Sequence, residues 1–249
     1  MPSLQKASCI LGAMHFIKSI LMTRFLFRIF QVFIFTFLFQ PVAFSQDYFR
    51  IRADFTVKIS NSDGTRNLTR GVVYYDKNIK ELIYDISFPE KETWVSRDTS
   101  LLKIRDGKVY DKMSIPSINE FTIFHLALNS MLNDFGLKNS PFKIQKVEKK
   151  GDLTLSYWNI PEQASTLMDF VVVARKGNRL ESVVIMADEN KVLSKQFFRN
   201  YTRVRAFEFP SQIVQVLYDT QNKENYQSTE FKNLVVNETG NNESYKSRY

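Results

Sequence analysis

Cysteine is all but missing from this chain. Among 249 residues there is one, Cys9, and it sits near the start in a segment expected to be removed. Without thiols the remainder has no disulfide framework, no thiolate metal site and no cysteine nucleophile. Histidine is nearly as scarce: of two, His15 shares the place of Cys9 and His125 stands alone. One histidine can serve a Ser-His-Asp arrangement, but no G-x-S-x-G turn accompanies it. Its position at the edge of an apolar helical arc reads as a half-buried structural residue. With eight glycines and no glycine-rich loop, nothing is built to cradle a phosphate. His, Cys, Asp and Glu nowhere gather at ligand spacing, and Asp106-Gly107 and Glu189-Asn190 have the chemistry of turns. The sequence therefore assigns no catalytic residue, no metal and no cofactor. A secreted hydrolase is the least supported reading.

Acids are absent from the first 45 positions, where Lys6, Lys18, Arg24 and Arg28 are the only charges. The apolar run IFQVFIFTFLF follows Arg28, and Ala43 and Ser45 set small residues at the −3 and −1 places of a cleavage site. A basic start, a short apolar stretch and a small-x-small exit predict a secretory signal over residues 1–45, with Met22 as a candidate alternative start. The run is shorter than the ~20 residues of a bilayer span. Cys9 has no apolar stretch before it and so lacks the setting of a lipid-anchored cysteine. Removing 4 of the 34 basic residues leaves 30 against 26 acids, so the net charge drops from +8 to +4. That balance is no footprint for nucleic acid. Export without cysteine fits a bacterial periplasm.

What the mature chain has in quantity is alternation. From Phe49 to Ser60, Phe49, Ile51, Ala53, Phe55, Val57 and Ile59 point one way while Arg50, Arg52, Asp54, Thr56, Lys58 and Ser60 point the other. Period two over that length is a strand with one dry face. Asn61-Ser62-Asp63-Gly64 turns the chain, and strands are predicted over 68–76, 81–88, 93–97, 100–105 and 108–113. A second series is predicted over 142–149, 153–158, 169–175, 180–187, 192–199, 202–209, 212–218 and 227–236. No linker or repeat divides them. One mainly β domain over 46–237, with about a dozen antiparallel strands in a single strongly curved sheet, an open half-closed barrel, is the economical architecture. The segment 238–249 is polar and expected to be disordered.

One stretch breaks the pattern. PSINEFTIFHLALNSMLNDFGL predicts a helix over 117–135: Ser117 and Glu120 form a capping box, and Gly136 offers a left-handed stop. Ile118, Phe121, Phe124, Leu128, Met131, Leu132 and Phe135 fall on one arc, with Ile123, Leu126 and Ala127 opposite. A helix apolar on two sides has something to touch besides the sheet, and a half-closed barrel needs a cover. This helix is the candidate lid. Phenylalanine is abundant at 22 residues, mostly as core. A concave sheet lined by aromatic and branched side chains under such a lid is suited to an acyl chain. Each buried methylene is worth about 0.8 kcal/mol without a polar contact. The candidate acyl-binding residues are Phe121, Ile123, Phe124, Leu126, Leu128, Met131 and Leu132 on the lid, with Tyr84, Ile86 and Trp94 on the strands.

These elements, in this order, resemble the LolA/LolB-like periplasmic lipoprotein carriers. The resemblance rests on the signal leading into a long strand, on Gly71-Val72-Val73-Tyr74-Tyr75-Asp76, on the proline-ended strand to Pro89 and on Trp94-Val95. The inserted helix, Asn200-Tyr201 with Phe209-Pro210-Ser211-Gln212-Ile213, and the last strand from Phe231 to Asn237 complete it. It implies an open β-barrel with a helical lid whose apolar cavity receives the acyl chains of a lipoprotein or lipid. It also implies inner- and outer-membrane lipoprotein-sorting partners. Asp76-Lys77-Asn78 stands where the carriers set a basic residue beside a proline, Arg97-Asp98-Thr99 where they have aspartate-glycine, and the family's N-terminal helix has no counterpart. The carriers' lid latch is therefore not transferred. The expected protein is a monomeric, non-enzymatic periplasmic carrier for outer-membrane biogenesis. An envelope binding or sensing module with a protein partner is the alternative.

Overall fold

A computed structural model of the chain describes residues 47–115, 122–161, 168–188 and 191–248. The expected signal segment lies outside them. Residues 48–249 form one unit. Its first half contributes β1 (Arg50–Ser60), β2 (Arg66–Asp76), β3 (Glu81–Phe88), β4 (Glu92–Arg97), β5 (Ser100–Arg105) and β6 (Lys108–Ser114). After the helical connection come β7 (Lys143–Lys150), β8 (Leu153–Asn159), β9 (Phe170–Lys176), β10 (Arg179–Asp188), β11 (Lys191–Val204), β12 (Phe207–Tyr218) and β13 (Glu224–Val236). All thirteen join one antiparallel sheet in the order β6-β5-β4-β3-β2-β1-β13-β12-β11-β10-β9-β8-β7. Neighbours in space are neighbours in sequence except at β1–β13, where the first and last strands pair. The sheet is not closed into a barrel, and its edges, β6 and β7, are consecutive in the chain.

The alternation in β1 sets the inner face. Ile51, Ala53 and Phe55 are buried; in register they meet Tyr75, Val73 and Gly71 on β2, and Phe55 meets Phe231 on β13. Gly71 is required by crowding: a Cβ there would lie 2.1 Å from the carbonyl oxygen of Asp85, where the β2–β3 register shifts. The β5–β6 hairpin turns through Asp106 and Gly107, at φ 50° and 71°, the left-handed pair that a tight two-residue loop demands. The expected break near Asn200 is absent. Asn200 at φ 54° is passed without ending β11, and the chain turns instead at Arg205, φ 57°. The residues expected as a strand over 202–209 are thus shared between β11 and β12.

The connection from edge to edge differs from the expected single helix. Residues 116–121, with the predicted capping box and Phe121, lie outside the described ones. The helix described is α1 (Ile123–Leu128), capped by Thr122, whose side chain accepts from the His125 amide. It stops because Ser130 turns left-handed at φ 56°; the Ser130 and Met131 amides then donate back to Ala127 and Leu126. That is the glycine-type helix stop, made here by serine. A 3₁₀ turn over Leu132–Asp134 ends the same way at Phe135, φ 57°, with Gly136 donating to Met131, and a second follows over Leu137–Asn139. Two reversals fold the chain back onto α1. Leu126 is fully buried, and a Cβ on Gly136 would fall 2.7 Å from its Cδ2. The second apolar side of the helix is covered by the chain itself.

The tail expected to be disordered is docked on the outer face. Asn242–Tyr245 forms a 3₁₀ turn; Tyr245 is fully buried, 5.4 Å from the Tyr74 ring, with the Arg50 guanidinium 4.4 Å from its own ring. Arg50 also bonds the buried Asp76 carboxylate at 2.9 Å, and the Ser247 amide donates to Glu81. Among the described residues no helix is long and apolar enough to cross a membrane.

Candidate functional site: an apolar cavity on the inner face

Row by row, the inner face changes character from one end of β1 to the other. Beneath α1 it is solid. Phe124 stacks on Phe209 at 5.5 Å and meets Phe231 edge-on at 5.3 Å, while the Tyr75 hydroxyl shares a 2.7 Å hydrogen bond with Nδ1 of His125. Phe55 and Phe231, in register, close this packed region. One row further the face opens into a cavity of about 300 Å³. Its apolar wall is Phe55, Val57 and Ile59 from β1, Tyr84 and Ile86 from β3 and Trp94 from β4. Thr69, Gln227 and Thr229 complete it. Strand alternation brings these side chains together, since all occupy inner positions of five neighbouring strands. Pockets for small ligands run from about 300 Å³ upward, so the space suits one chain segment.

Burial pushes the Tyr84 hydroxyl up to about 12. Its ring stands edge-on to Phe55 at 5.1 Å. Beyond Trp94 the face turns polar and is internally paired. Lys103 sits 5.5 Å over the Trp94 ring and bonds Asp111 at 3.0 Å; Arg105 holds Glu92 at 3.2 Å and Glu90 at 2.8 Å. Burial acts to raise the Glu92 carboxyl, but hydrogen bonds from the Tyr110 hydroxyl (2.5 Å) and Arg105 outweigh it and hold the group below the usual range.

Of the residues expected at an acyl site, the structure gathers Tyr84, Ile86 and Trp94 at the cavity. The lid residues are elsewhere. Phe124, Leu126, Leu128 and Leu132 are buried in the core, and Ile123 and Met131 pack against it half-exposed. Phe121 lies outside the described residues. The β1 side of the cavity was readable, because Phe55, Val57 and Ile59 share the perfect alternation that defines the strand. Gln227 and Thr229 carried no such signal; only the β1–β13 pairing brings them in. Among the described residues no group of three or more His, Cys, Asp or Glu is placed to hold a metal.

No protein-family model matches the sequence, and no curated protein does either. Solved structures do resemble it in fold. A LolA superfamily protein from Nitrosomonas europaea superposes with a TM-score of 0.52 at 13% identity, over 82% of this chain and 92% of that one. A DUF1329 family protein from Desulfovibrio piger gives 0.56 at 10% identity, covering 81% and 91%. A protein described as an outer membrane lipoprotein-sorting protein domain, from Vibrio parahaemolyticus, gives 0.56 at 13%, covering 78% and 88%. At such identities the likeness is one of architecture: the fold is LolA-like.

Proposed function

We propose that this protein is an exported, periplasmic carrier that holds an acyl chain of a lipoprotein, or of a related lipid, in the inner-face cavity and helps move it to the outer membrane. The observation carrying the reading is the cavity itself, walled by Phe55, Val57, Ile59, Tyr84, Ile86 and Trp94 and set beside the region where Phe124 of α1 packs on Phe209 and Phe231, on the inner face of a LolA-like sheet. Each methylene moved from water into such a wall stabilises the complex by about 0.8 kcal/mol. Binding is non-catalytic on this reading: the described histidine, His125, is bonded to Tyr75 on the far side of the Phe55–Phe231 row from the cavity. Lipoprotein-sorting components of the inner and outer membranes are the proposed partners, meeting a monomer.

The test is native mass spectrometry of protein taken from its own periplasm, with titration of a fluorescent fatty acid against the wild type and Trp94→Ala. Acylated species should co-purify, and Trp94→Ala should bind the probe at least several-fold more weakly. If no acylated species appears and the probe does not bind, the reading fails. One observation favours a second reading, an envelope-sensing module with a protein partner: the space directly under α1 is already filled by Phe124, Phe209 and Phe231. The same titration separates them, since a sensing module binds no probe.

A further inference from the structure

Beside the cavity the inner face carries a row of amides. Gln227 on β13, itself part of the cavity wall, lies opposite Ile59 on β1 and opposite Gln215 on β12; Gln215 lies opposite Gln196 on β11. Gln196 in turn faces Val183, a core residue, which fixes the row on the inner face. Neighbouring strands are about 4.8 Å apart, so the three glutamines follow one another across the sheet at that spacing. All three are half-buried. Each offers two N–H donors and a carbonyl acceptor, and no hydrogen bond from any described residue engages them. The polar groups beyond Trp94 differ: Lys103 pairs with Asp111, and Arg105 and Tyr110 both bond Glu92. A merely wet surface would take charged residues as readily, and the same strands do place Lys195 and Glu230 on the outer face. The inner row is uncharged.

We propose that Gln196, Gln215 and Gln227 receive the linkage end of the acyl ligand, and that the site selects chains joined through a neutral ester or amide. This rests on the carrier reading above. An ester or amide carbonyl accepts from the glutamine N–H groups, and an amide N–H donates to their carbonyls. A free carboxylate or a phosphate would shed its hydration there with no cation in the row to compensate. The inner-face cations Lys103 and Arg105 lie across β1 to β4 and are already matched by Asp111 and Glu92.

The experiment is displacement of a fluorescent acyl amide, at pH 8, by four ligands sharing one chain: an N-palmitoyl glycinamide, monopalmitoylglycerol, palmitate and palmitoyl lysophosphatidate. Both neutral ligands should displace the probe at about tenfold or more lower concentration than the two anions. Gln215→Leu and Gln227→Leu should each weaken the neutral ligands by about fivefold, the worth of one net hydrogen bond, and leave the anions unchanged. Gln221→Leu, in the β12–β13 turn, is the control, and thermal melting checks that every variant folds. A larger loss for the amide than the ester identifies a peptide-linked chain; the reverse identifies a glyceride. Equal affinity for all four ligands, or variants that keep the preference, would overturn the proposal. Displacement by none of them would instead remove the carrier reading beneath it.

Discussion

Leu126 is where the helix meets its own continuation, and a two-residue cycle tests that contact. The side chain is fully buried and its Cδ2 lies 2.7 Å from where a Cβ on Gly136 would sit. Leu126→Ala should cost about 3 kcal/mol, the usual loss for emptying a buried leucine site. At roughly 2–4 °C per kcal/mol for a domain of this size, that is a fall in Tm of about 6–12 °C. Gly136→Ala alone has two penalties. Its φ of +74° costs a non-glycine residue about 1 kcal/mol, and the overlap with Leu126 adds about 2. In the double variant the overlap disappears with the leucine while the backbone penalty stays. The pair should therefore be about 2 kcal/mol less destabilised than the sum of the singles, well outside the ~0.5 kcal/mol scatter of independent sites. Urea denaturation of the four proteins measures it. Acyl-probe affinity per folded molecule should not change, since Leu126 is not in the cavity wall. Additive losses, or a Leu126→Ala variant that melts normally yet binds the probe weakly, would show that this side of the helix faces the cavity and not the chain.

Three further perturbations probe the frame. Gly71→Ala drives a Cβ into the Asp85 carbonyl and should cost about 3 kcal/mol; a Tm within a degree or two of wild type would contradict the register shift drawn there. Arg50→Ala strands the buried Asp76 carboxylate and removes the cation over Tyr245, with an expected loss of about 3 kcal/mol by denaturant titration and faster proteolysis of the tail. Glu92 has a folded-state pKa below its unfolded value. Its contribution is therefore full above the unfolded value of about 4.3 and is lost as pH falls through the lower folded value. Glu92→Gln should flatten the acid limb of a stability-versus-pH curve, and an unchanged limb would refute that sign.

The strands were legible because the physics that forms them is written at single-residue spacing. Ile51, Ala53 and Phe55 alternate with Arg52, Asp54 and Thr56 whatever else the chain does, and the inner face follows. The pairing of β1 with β13 was not legible, since no local pattern links Ile59 to Gln227. Two of the nine residues lining the cavity, Gln227 and Thr229, depend on it. The helix misled for a different reason. Counting apolar positions at helical spacing assumes an unbroken helix, and the residues that break it, Ser130 and Phe135, are left-handed without being glycine. Their stops are held by backbone bonds to Leu126, Ala127 and Met131, which leave no mark in composition. The tail failed likewise: one tyrosine, Tyr245, anchors a polar segment, and its partner Arg50 stands at the opposite end of the domain sequence.

The topology also limits how the cavity can grow. The connection carrying α1 starts at edge strand β6 and ends at edge strand β7, so both its ends are tied to the sheet, while α1 packs on the sheet through Phe124. Enlarging a space of about 300 Å³ toward α1 must lift Phe124 off Phe209 and Phe231. Exposing that ring loses about 2.5 kcal/mol of burial, and the two ring contacts about 1 kcal/mol each. At about 0.8 kcal/mol per methylene, roughly six methylenes inserted beneath the helix offset the loss. On the carrier reading, ligands with fewer methylenes than that beyond the resting cavity leave α1 seated, and longer ones displace it. Hydrogen exchange at the Leu126 and Met131 amides should accordingly stay slow across a series of short acyl ligands and speed up above a threshold length. Phe124→Leu should lower that threshold. Exchange that quickens smoothly from the shortest chain, or never quickens, would mean that cargo binding and lid opening are not coupled through Phe124.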